Sequence, residues 1–371
     1  MRVPSHAVLS AMTRFHLLYT GGTFGCVGQP LAPLAAAVFV PLLQRQLPQL
    51  YAADWQVGQL DPVLDSSQIV PEHWLLMLQY CLMRYQQDSD PHPAPIILIH
   101  GTDTLAYTAA FLAEAFAGSD IRLCVTGSQR PLLQSLADTQ ADSDSTTEQL
   151  YPNTDALDNL RTALQAVLHA PAGVSVAFAG EYWPAQTCQK IHSQDLAAFT
   201  GHHRAAYPAN SYQPLRRQQR QQWLTQATEQ FERLQHSLPQ INISVYYATP
   251  QPVTQVLAQL ADLLARRPDG LMLVGYGSGN FPVSPELQQL LHQAVQDGCL
   301  LVIATQVPFG GTDSRYASGD WLTELGALPS ARLTLPAIYA RLSWICATEA
   351  DRSRRRKRWM QCLSDTRLAK R

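Results

Sequence analysis

Short apolar runs alternate along this chain with longer segments of helical periodicity. Ile96–Ile99 is an all-apolar run, which is typical of a strand buried on both faces of a parallel sheet. Leu105–Ala117 follows it and is alanine-rich, with apolar residues at helical spacing. The same alternation predicts strands at Phe15–Tyr19, Trp55–Leu60, Ile121–Val125 and Val174–Ala179, and helices at Ala35–Leu47 and Asp155–His169. This pattern indicates an α/β protein.

The alternation resumes near Ile241. It predicts strands at Val245–Ala248, Leu271–Val274 and Leu300–Ala304, and helices at Pro252–Ala265 and Pro285–Gln296. We therefore predict an α/β fold with a larger N-terminal, mostly parallel, doubly wound sheet and a smaller C-terminal α/β domain. The predicted limits are 1–205 for the N-terminal domain, 206–240 for a Gln/Arg-rich connector, and 241–371 for the C-terminal domain with a basic tail.

Two predicted strands end in turns rich in glycine and threonine. Thr20–Gly25 follows the first strand and His100–Thr104 follows Ile96–Ile99. A strand–turn–helix unit places such a turn at the carboxyl edge of the sheet, where open α/β folds bind ligands. Thr102, Asp103 and Thr104 equally suit helix capping, because their side chains accept hydrogen bonds from free first-turn amides. The second turn of the same type favours a ligand site.

The glycine spacing speaks against nucleotide binding. No Gly-Lys-Ser/Thr follows Gly21-Gly22, and the spacing is not that of a dinucleotide fingerprint. Phosphate-dependent thermal stabilisation would be needed to support this hypothesis.

The two turns belong to a longer series of motifs. Thr20–Gly25 reads Thr-Gly-Gly-Thr-Phe-Gly, and His100–Ala109 reads His-Gly-Thr-Asp-Thr-Leu-Ala-Tyr-Thr-Ala. Further motifs lie at Pro62–Ser67, Val125–Gln129, Lys190–His192 and Tyr276–Asn280. Together they resemble the asparaginase family, in its cytoplasmic bacterial type I branch, and the similarity extends from about residue 15 to about 345. One such motif is weak support for a family, but six in order are specific.

The resemblance implies an amidohydrolase that converts L-asparagine to L-aspartate and ammonia. An amide is a poor electrophile, so hydrolysis benefits from two steps through a covalent ester on a threonine. The implied catalytic residues are Thr23 as nucleophile, with Thr102, Asp103 and Lys190. An ordinary lysine is protonated at neutral pH, so we assign Lys190 to organising Asp103 and relaying a proton.

Six residues are expected to bind the substrate. They are Asp65, Ser66, Ser67, Gly101, Ser128 and Asn280. Hydroxyls and backbone amides suit a carboxylate, and an aspartate suits an ammonium group. Asn280 matches a family position that reaches a neighbouring subunit's active site, which implies a homodimer or homotetramer. The expected partner is a small amide amino acid, and no metal or other cofactor is expected.

The chain departs from the family pattern in several places. The family's lid loop carries a tyrosine that acts on the nucleophilic threonine, but Leu31 stands near that position and no tyrosine lies between Phe24 and Leu50. This loss predicts a slow enzyme, one with a substitute such as Tyr182, or a homologue that binds aspartate or asparagine as a sensor. Gln189 and Val307 differ from the residues expected around a regulatory site, and Leu132–Thr154 is a polar, acidic insertion.

Composition limits the remaining possibilities. Of the 371 residues, 46% are hydrophobic and 15% are charged, which is typical of a well-packed globular protein. A net charge of −2 provides no global field for nucleic acid or membrane, and we expect neither partner. Seven scattered cysteines are typical of reduced thiols in a cytoplasm. The apolar stretch Ala7–Met12 is too short and too broken to be the core of a signal peptide, so we expect none. The basic run Asp351–Arg371 is interpreted as a solvated tail, and His202-His203 as exposed connector.

Overall fold

The structure is a computed structural model, and it describes residues 14–87, 92–134, 150–201, 212–312 and 317–365. The chain divides into two compact units, Met1–Gln226 and Ala227–Arg371. The limits predicted for the domains (1–205, 206–240 and 241–371) stay a prediction.

The N-terminal unit contains ten strands and four complete helices in the described ranges. The strands are β1 (Arg14–Gly21), β2 (Cys26–Val27), β3 (Ala32–Pro33), β4 (Asp54–Leu64), β5 (Ile96–Ile99), β6 (Arg122–Thr126), β7 (Gly173–Phe178), β8 (Glu181–Pro184), β9 (Gln189–Lys190) and β10 (Phe199–Thr200). The helices are α1 (Ala36–Leu50), α2 (Pro71–Gln87), α3 (Leu105–Ala115) and α4 (Ala156–His169), and α5 (Arg217–Ser237) begins in this unit.

Six of these strands form the main sheet, in the order β4-β1-β5-β6-β7-β8. All neighbours are parallel except β7 and β8, which are antiparallel. β5 is buried along its whole length, as its all-apolar run predicts for a central parallel strand. The mostly parallel sheet predicted for this half of the chain is confirmed.

Alternating side chains of β1 cover both faces of this sheet. Phe15, Leu17 and Tyr19 join a core cluster that includes residues of α1 and α4. On α2 and α3, the rings of Trp74 and Phe111 stack with their centroids 4.7 Å apart. Helices flanking a parallel sheet are the doubly wound arrangement that was predicted.

Helix α5 occupies much of the predicted connector. Arg220 and Asp120 form an ion pair at 2.6 Å with side chains only 5% and 1% exposed. Asp120 also accepts hydrogen bonds from the Tyr85 hydroxyl and the Leu215 amide. Within the predicted connector, Arg217–Ser237 is therefore a regular helix, and the ion pair of Arg220 with Asp120 anchors its first turn.

The C-terminal unit is built around a four-stranded parallel sheet, β11-β12-β13-β14. Its core packs the sheet against flanking helices around residues such as Leu260, Leu287 and Leu322. The elements are β11 (Ile243–Tyr247), α6 (Val253–Leu264), β12 (Gly270–Gly275), α7 (Pro285–Gln296), β13 (Leu300–Thr305), α8 (Ala317–Glu324), β14 (Leu328–Pro329), α9 (Leu335–Thr348) and α10 (Arg352–Asp365). The α/β fold predicted for the smaller C-terminal part of the chain is thus confirmed.

The basic run near the C-terminus is not a solvated tail between Arg352 and Asp365. It forms α10, in which Trp359 is fully buried and Leu363 is 5% exposed. Arg355 is also buried and pairs with Asp269 at 3.0 Å. The high content of basic residues did not indicate that positions 355, 359 and 363 are buried. These positions are four residues apart and lie on one helical face.

Several expectations fall outside the described residues. They concern the Ala7–Met12 segment, the His202-His203 pair, and most of the Leu132–Thr154 insertion. In the described part of the chain, the helices are too short or too polar to span a bilayer. The same ranges hold no group of three or more His, Cys, Asp or Glu side chains placed to bind a metal.

Candidate active site

The carboxyl ends of four parallel strands meet at one edge of the main sheet. β4, β1, β5 and β6 are consecutive neighbours in that sheet, and each is followed by one of the motifs found in the sequence. Because parallel strands end at the same edge, the turns after these strands lie side by side. The topology therefore brings together segments that are distant in the chain.

Two glycines let these turns approach backbone to backbone. Gly22 has φ 84°, and a methyl group there would lie 2.3 Å from the Gly101 Cα. A methyl group on Gly101 would lie 2.5 Å from Ser66 Oγ. No side chain fits at either contact, so glycine is required for the close approach. Thr23 follows Gly22 directly and begins a single 3₁₀ turn, half-buried.

An ammonium group joins a hydroxyl and a carboxylate beside this contact. Lys190 Nζ donates to Thr102 Oγ1 at 2.8 Å and to Asp103 Oδ1 at 2.8 Å. The Lys190 side chain is 22% exposed, whereas that of Asp103 is 60% exposed. β9 supplies the lysine from the hairpin that it forms with β10. The structure thus brings together Thr102, Asp103 and Lys190.

Ser66 connects the turn after β4 to this cluster. Its hydroxyl accepts a hydrogen bond from the Asp103 amide at 3.3 Å, and its carbonyl accepts one from Thr104 Oγ1 at 2.7 Å. Asp65 caps the short turn by accepting from the Ser67 amide at 2.9 Å. Asp65 thus has a local capping role, and the exposed side chains of Asp65 and Ser67 lie beside Ser66.

Two other proposed binding residues, Ser128 and Asn280, form contacts of their own. Ser128 is buried, and its hydroxyl donates to the Arg130 carbonyl at 2.6 Å. Asn280 belongs to the C-terminal unit, where its carbonyl accepts a hydrogen bond from the Tyr276 amide at 2.9 Å. In the lid loop, β2 and β3 form a small antiparallel hairpin, and Leu31 is 49% exposed.

His100 contacts the Gly101 peptide from within the protein core. The sequence alone did not identify it as a site residue. It is fully buried, with Nδ1 2.7 Å from the Gly101 carbonyl oxygen and Nε2 2.9 Å from Thr108 Oγ1. Trp74 Nε1 donates to the same Thr108 oxygen at 3.0 Å. The Gly101 carbonyl oxygen only accepts hydrogen bonds, so in the neutral ring Nδ1–H donates to Gly101 and Nε2 accepts a hydrogen bond from the Thr108 hydroxyl. Burial lowers the pKa of His100 to about 4, which keeps the ring neutral.

Gln129 was also missed, although it lies in a quoted motif. It contacts Thr102 and the hairpin that carries Lys190.

The amino-acid composition contains a signal for Lys190 itself. The sequence has 27 Lys and Arg residues, of which only Lys190, Lys357 and Lys370 are lysines. Because the chain uses arginine at nearly all of its basic positions, a lysine within one of the six motifs distinguishes Lys190 from the other basic residues.

Comparison with known proteins decides the family. The family described as "Asparaginase, N-terminal" matches residues 14–143 and 145–219, and "Glutaminase/Asparaginase C-terminal domain" matches residues 242–360. The chain belongs to the asparaginase family. It is an asparaginase-like amidohydrolase, and the resemblance inferred from the six motifs is confirmed.

Relatives and solved structures agree with this membership. L-asparaginase 1 of Escherichia coli is 27% identical over 370 residues, covering 94% of this chain and 96% of the relative. L-asparaginase of Thermococcus kodakarensis is 28% identical over 300 residues, covering 79% of this chain and 80% of the relative. The crystal structure of L-asparaginase I from Vibrio cholerae superposes with a TM-score of 0.71 at 21% identity, covering 95% of this chain and 98% of that one. This last similarity supports the asparaginase fold.

Proposed function

We propose that this asparaginase-family enzyme hydrolyses L-asparagine to L-aspartate and ammonia through an acyl-enzyme on Thr23. The observation that carries the proposal is the Lys190–Thr102–Asp103 cluster, which lies beside the Gly22–Gly101 contact that precedes Thr23. Two hydroxyl groups, an ammonium and a carboxylate at one sheet edge are suited to nucleophilic catalysis with proton transfer.

The first half-reaction forms the ester. Thr23 Oγ1 attacks the side-chain amide carbon of asparagine, a C–O bond forms, the C–N bond breaks, and ammonia leaves with the proton that the hydroxyl lost. Backbone amides at the glycine turns, including that of Gly101, and the segment around Ser128 would stabilise the oxyanion. The second half-reaction adds water to the ester carbon, which restores Thr23 and releases aspartate.

The polar side chains around the cluster supply substrate recognition. Asp103 would bind the substrate ammonium with one carboxylate oxygen while Lys190 holds the other side of that carboxylate. Asp65, Ser66 and Ser67 would hold the amino and carboxylate end of the substrate, because exposed carboxylate, hydroxyl and amide groups suit those charges. Asn280 of a second copy would complete the site, in a homodimer or homotetramer. The free thiols are consistent with a cytoplasmic enzyme.

A second candidate function is binding without turnover. The lid loop lacks a tyrosine and presents an exposed Leu31 instead. Positioned acid–base help contributes roughly 10²–10⁴-fold to a rate. A homologue without that help would be a slow enzyme, or a sensor of aspartate or asparagine.

An ammonia-release assay on the purified full chain separates the two. Asparagine, glutamine and other small amides are compared, since one methylene in a pocket is worth only about 1–3 kcal/mol. We expect turnover of asparagine and a loss of more than about a thousandfold in Thr23→Ala. Hydroxylamine should intercept the ester and yield the aspartyl hydroxamate. Micromolar binding of aspartate by calorimetry without ammonia release would instead support the sensor.

A further inference from the structure

The backbone of Gln129 is held firmly at the end of β6. Its amide donates to Asp155 Oδ2 at 2.9 Å, and the next amide, of Arg130, donates to Asp155 Oδ1 at 3.0 Å. Asp155 is itself buried and receives a further hydrogen bond from Asn159 Nδ2 at 2.9 Å. Gln129 therefore projects from a fixed point beside the Lys190 cluster.

The two hydrogens of the Gln129 amide nitrogen are both used. Nε2 donates to the Ser193 carbonyl at 3.2 Å and to the Asp195 carbonyl at 3.1 Å. A carbonyl oxygen only accepts hydrogen bonds, so these two contacts determine which end of the amide is nitrogen. Oε1 consequently faces the other way, 3.4 Å from Thr102 Oγ1.

Thr102 Oγ1 is then placed between a donor and an acceptor. Lys190 Nζ is a donor only, so at 2.8 Å it occupies one lone pair of the hydroxyl oxygen. Among the described residues, Gln129 Oε1 is the acceptor of the Thr102 hydroxyl proton. A hydroxyl has one proton and two lone pairs, which leaves one lone pair of Thr102 available.

We propose that Gln129 is a positioning residue that orients the Thr102 hydroxyl, with its proton toward Gln129 and its remaining lone pair open to the water that attacks the Thr23 ester. This inference rests on the proposed function. The hydrogen bond from that water to Thr102 places the water for the second half-reaction, and a misplaced hydroxyl slows it. The contact at 3.4 Å is long for a hydrogen bond in the free enzyme, and catalytic hydrogen bonds commonly tighten once substrate is bound.

Gln129 has a second role that needs to be separated from the first. Its Nε2 anchors the hairpin segment containing Ser193 and Asp195, and that hairpin carries Lys190. Gln129→Met removes both the donors and the acceptor at nearly constant length. Gln129→Glu removes the donors but keeps an oxygen acceptor for Thr102. If Gln129 served only as a hairpin anchor, Gln129→Glu would be at least as harmful as Gln129→Met, because its carboxylate oxygen would face the Ser193 and Asp195 carbonyl oxygens.

The experiment measures ammonia release from asparagine by the full-length protein and these two variants, with exposed Gln222→Met as the matched control. For Gln129→Met we expect kcat to fall about 10- to 100-fold while KM changes less than about threefold. For Gln129→Glu we expect kcat at least about fivefold above that of Gln129→Met at neutral pH, since a carboxylate accepts the Thr102 proton. That advantage should decline as the pH approaches the ordinary carboxyl range, about 4–5.

Three outcomes overturn the inference. A Gln129→Met variant with wild-type kcat, or a Gln129→Glu variant no more active than Gln129→Met, removes the role in orienting Thr102 while leaving the proposed function in place. Failure of the wild-type protein to release ammonia removes both. If Gln129→Met does not fold, as judged by its thermal transition and its L-aspartate binding, the ratio of Gln129→Glu to wild-type kcat across the pH range still decides.

Discussion

Lys190 Nζ lies 2.8 Å from Thr102 Oγ1, although 88 residues separate the two in the chain. The same nitrogen lies 2.8 Å from Asp103 Oδ1. An ammonium ion thus bridges a hydroxyl and a carboxylate that follow directly on strand β5. The side chain of Lys190 is mostly shielded from solvent, which strengthens its effect on both partners.

Removal of this ammonium should impair turnover more than folding. In Lys190→Met, we expect kcat for ammonia release from asparagine to fall roughly 10²–10⁴-fold, the range for loss of positioned acid–base help. Lys357→Met, at an exposed site on α10, is the control and should match the wild type. A Lys190→Met variant within about threefold of wild type would show that the cluster is not catalytic.

The Gly22–Gly101 contact should tolerate no side chain. Gly22 and Gly180 have similar positive φ angles, 84° and 82°, but only Gly22 faces a neighbouring backbone, while a methyl group on Gly180 meets nothing within 4 Å. We expect Gly180→Ala to cost about 1–2 kcal/mol of unfolding free energy from backbone strain alone. Gly22→Ala should cost more in urea denaturation and should also abolish ammonia release. Equal costs in the two variants, with activity retained, would contradict the close contact.

His100 should make the protein sensitive to mild acid. Burial lowers its folded-state pKa to about 4, whereas an unfolded histidine titrates near 6.5. Between these values the unfolded chain binds a proton that the native state does not, so the native state loses stability as pH falls from about 6.5 toward 4. The loss at pH 4.5 relative to pH 7 should be about 2–3 kcal/mol.

Denaturant titrations at several pH values check this slope. His100→Gln should be less sensitive to acid over that window, whatever its stability at neutral pH, because it has no proton to bind. His236→Gln, at an exposed position of α5, serves as the control. Parallel pH profiles for wild type and His100→Gln would refute the assignment of a buried neutral histidine.

The Arg220–Asp120 pair should be a major contributor to stability of the N-terminal unit. In Arg220→Met, Asp120 remains buried without its ion-pair partner, and we expect a loss of about 3–5 kcal/mol. Arg161 pairs with Asp158 at the surface, with side chains 56% and 74% exposed, so Arg161→Met should cost under about 1 kcal/mol. Urea unfolding of both variants gives the comparison. Similar small losses would mean that α5 is not held by this pair.

Local pattern predicted the regular elements well where one face had to be buried. The β5 and α3 segments, for example, are confirmed within two residues at their ends. It failed for Arg217–Ser237 and Arg352–Asp365, whose polar and basic composition resembles that of a linker or tail. Arg220 and Arg355 in these helices are buried against Asp120 and Asp269. Partners about a hundred residues away cannot be read from local periodicity.

The order of strands and turns, the glycines that let two turns meet, and the asparaginase family are determined by the sequence itself, because they depend on local spacing and residue type. Only the tertiary structure decided that Lys190 reaches Thr102 and Asp103, that His100 holds Gly101, and that Gln129 faces Thr102. These contacts join residues on separate strands, and their distances depend on how parallel strands align at one sheet edge. Hydrogen bonding requires atoms to be placed within a few tenths of an ångström, and packing, not sequence spacing, sets positions that finely.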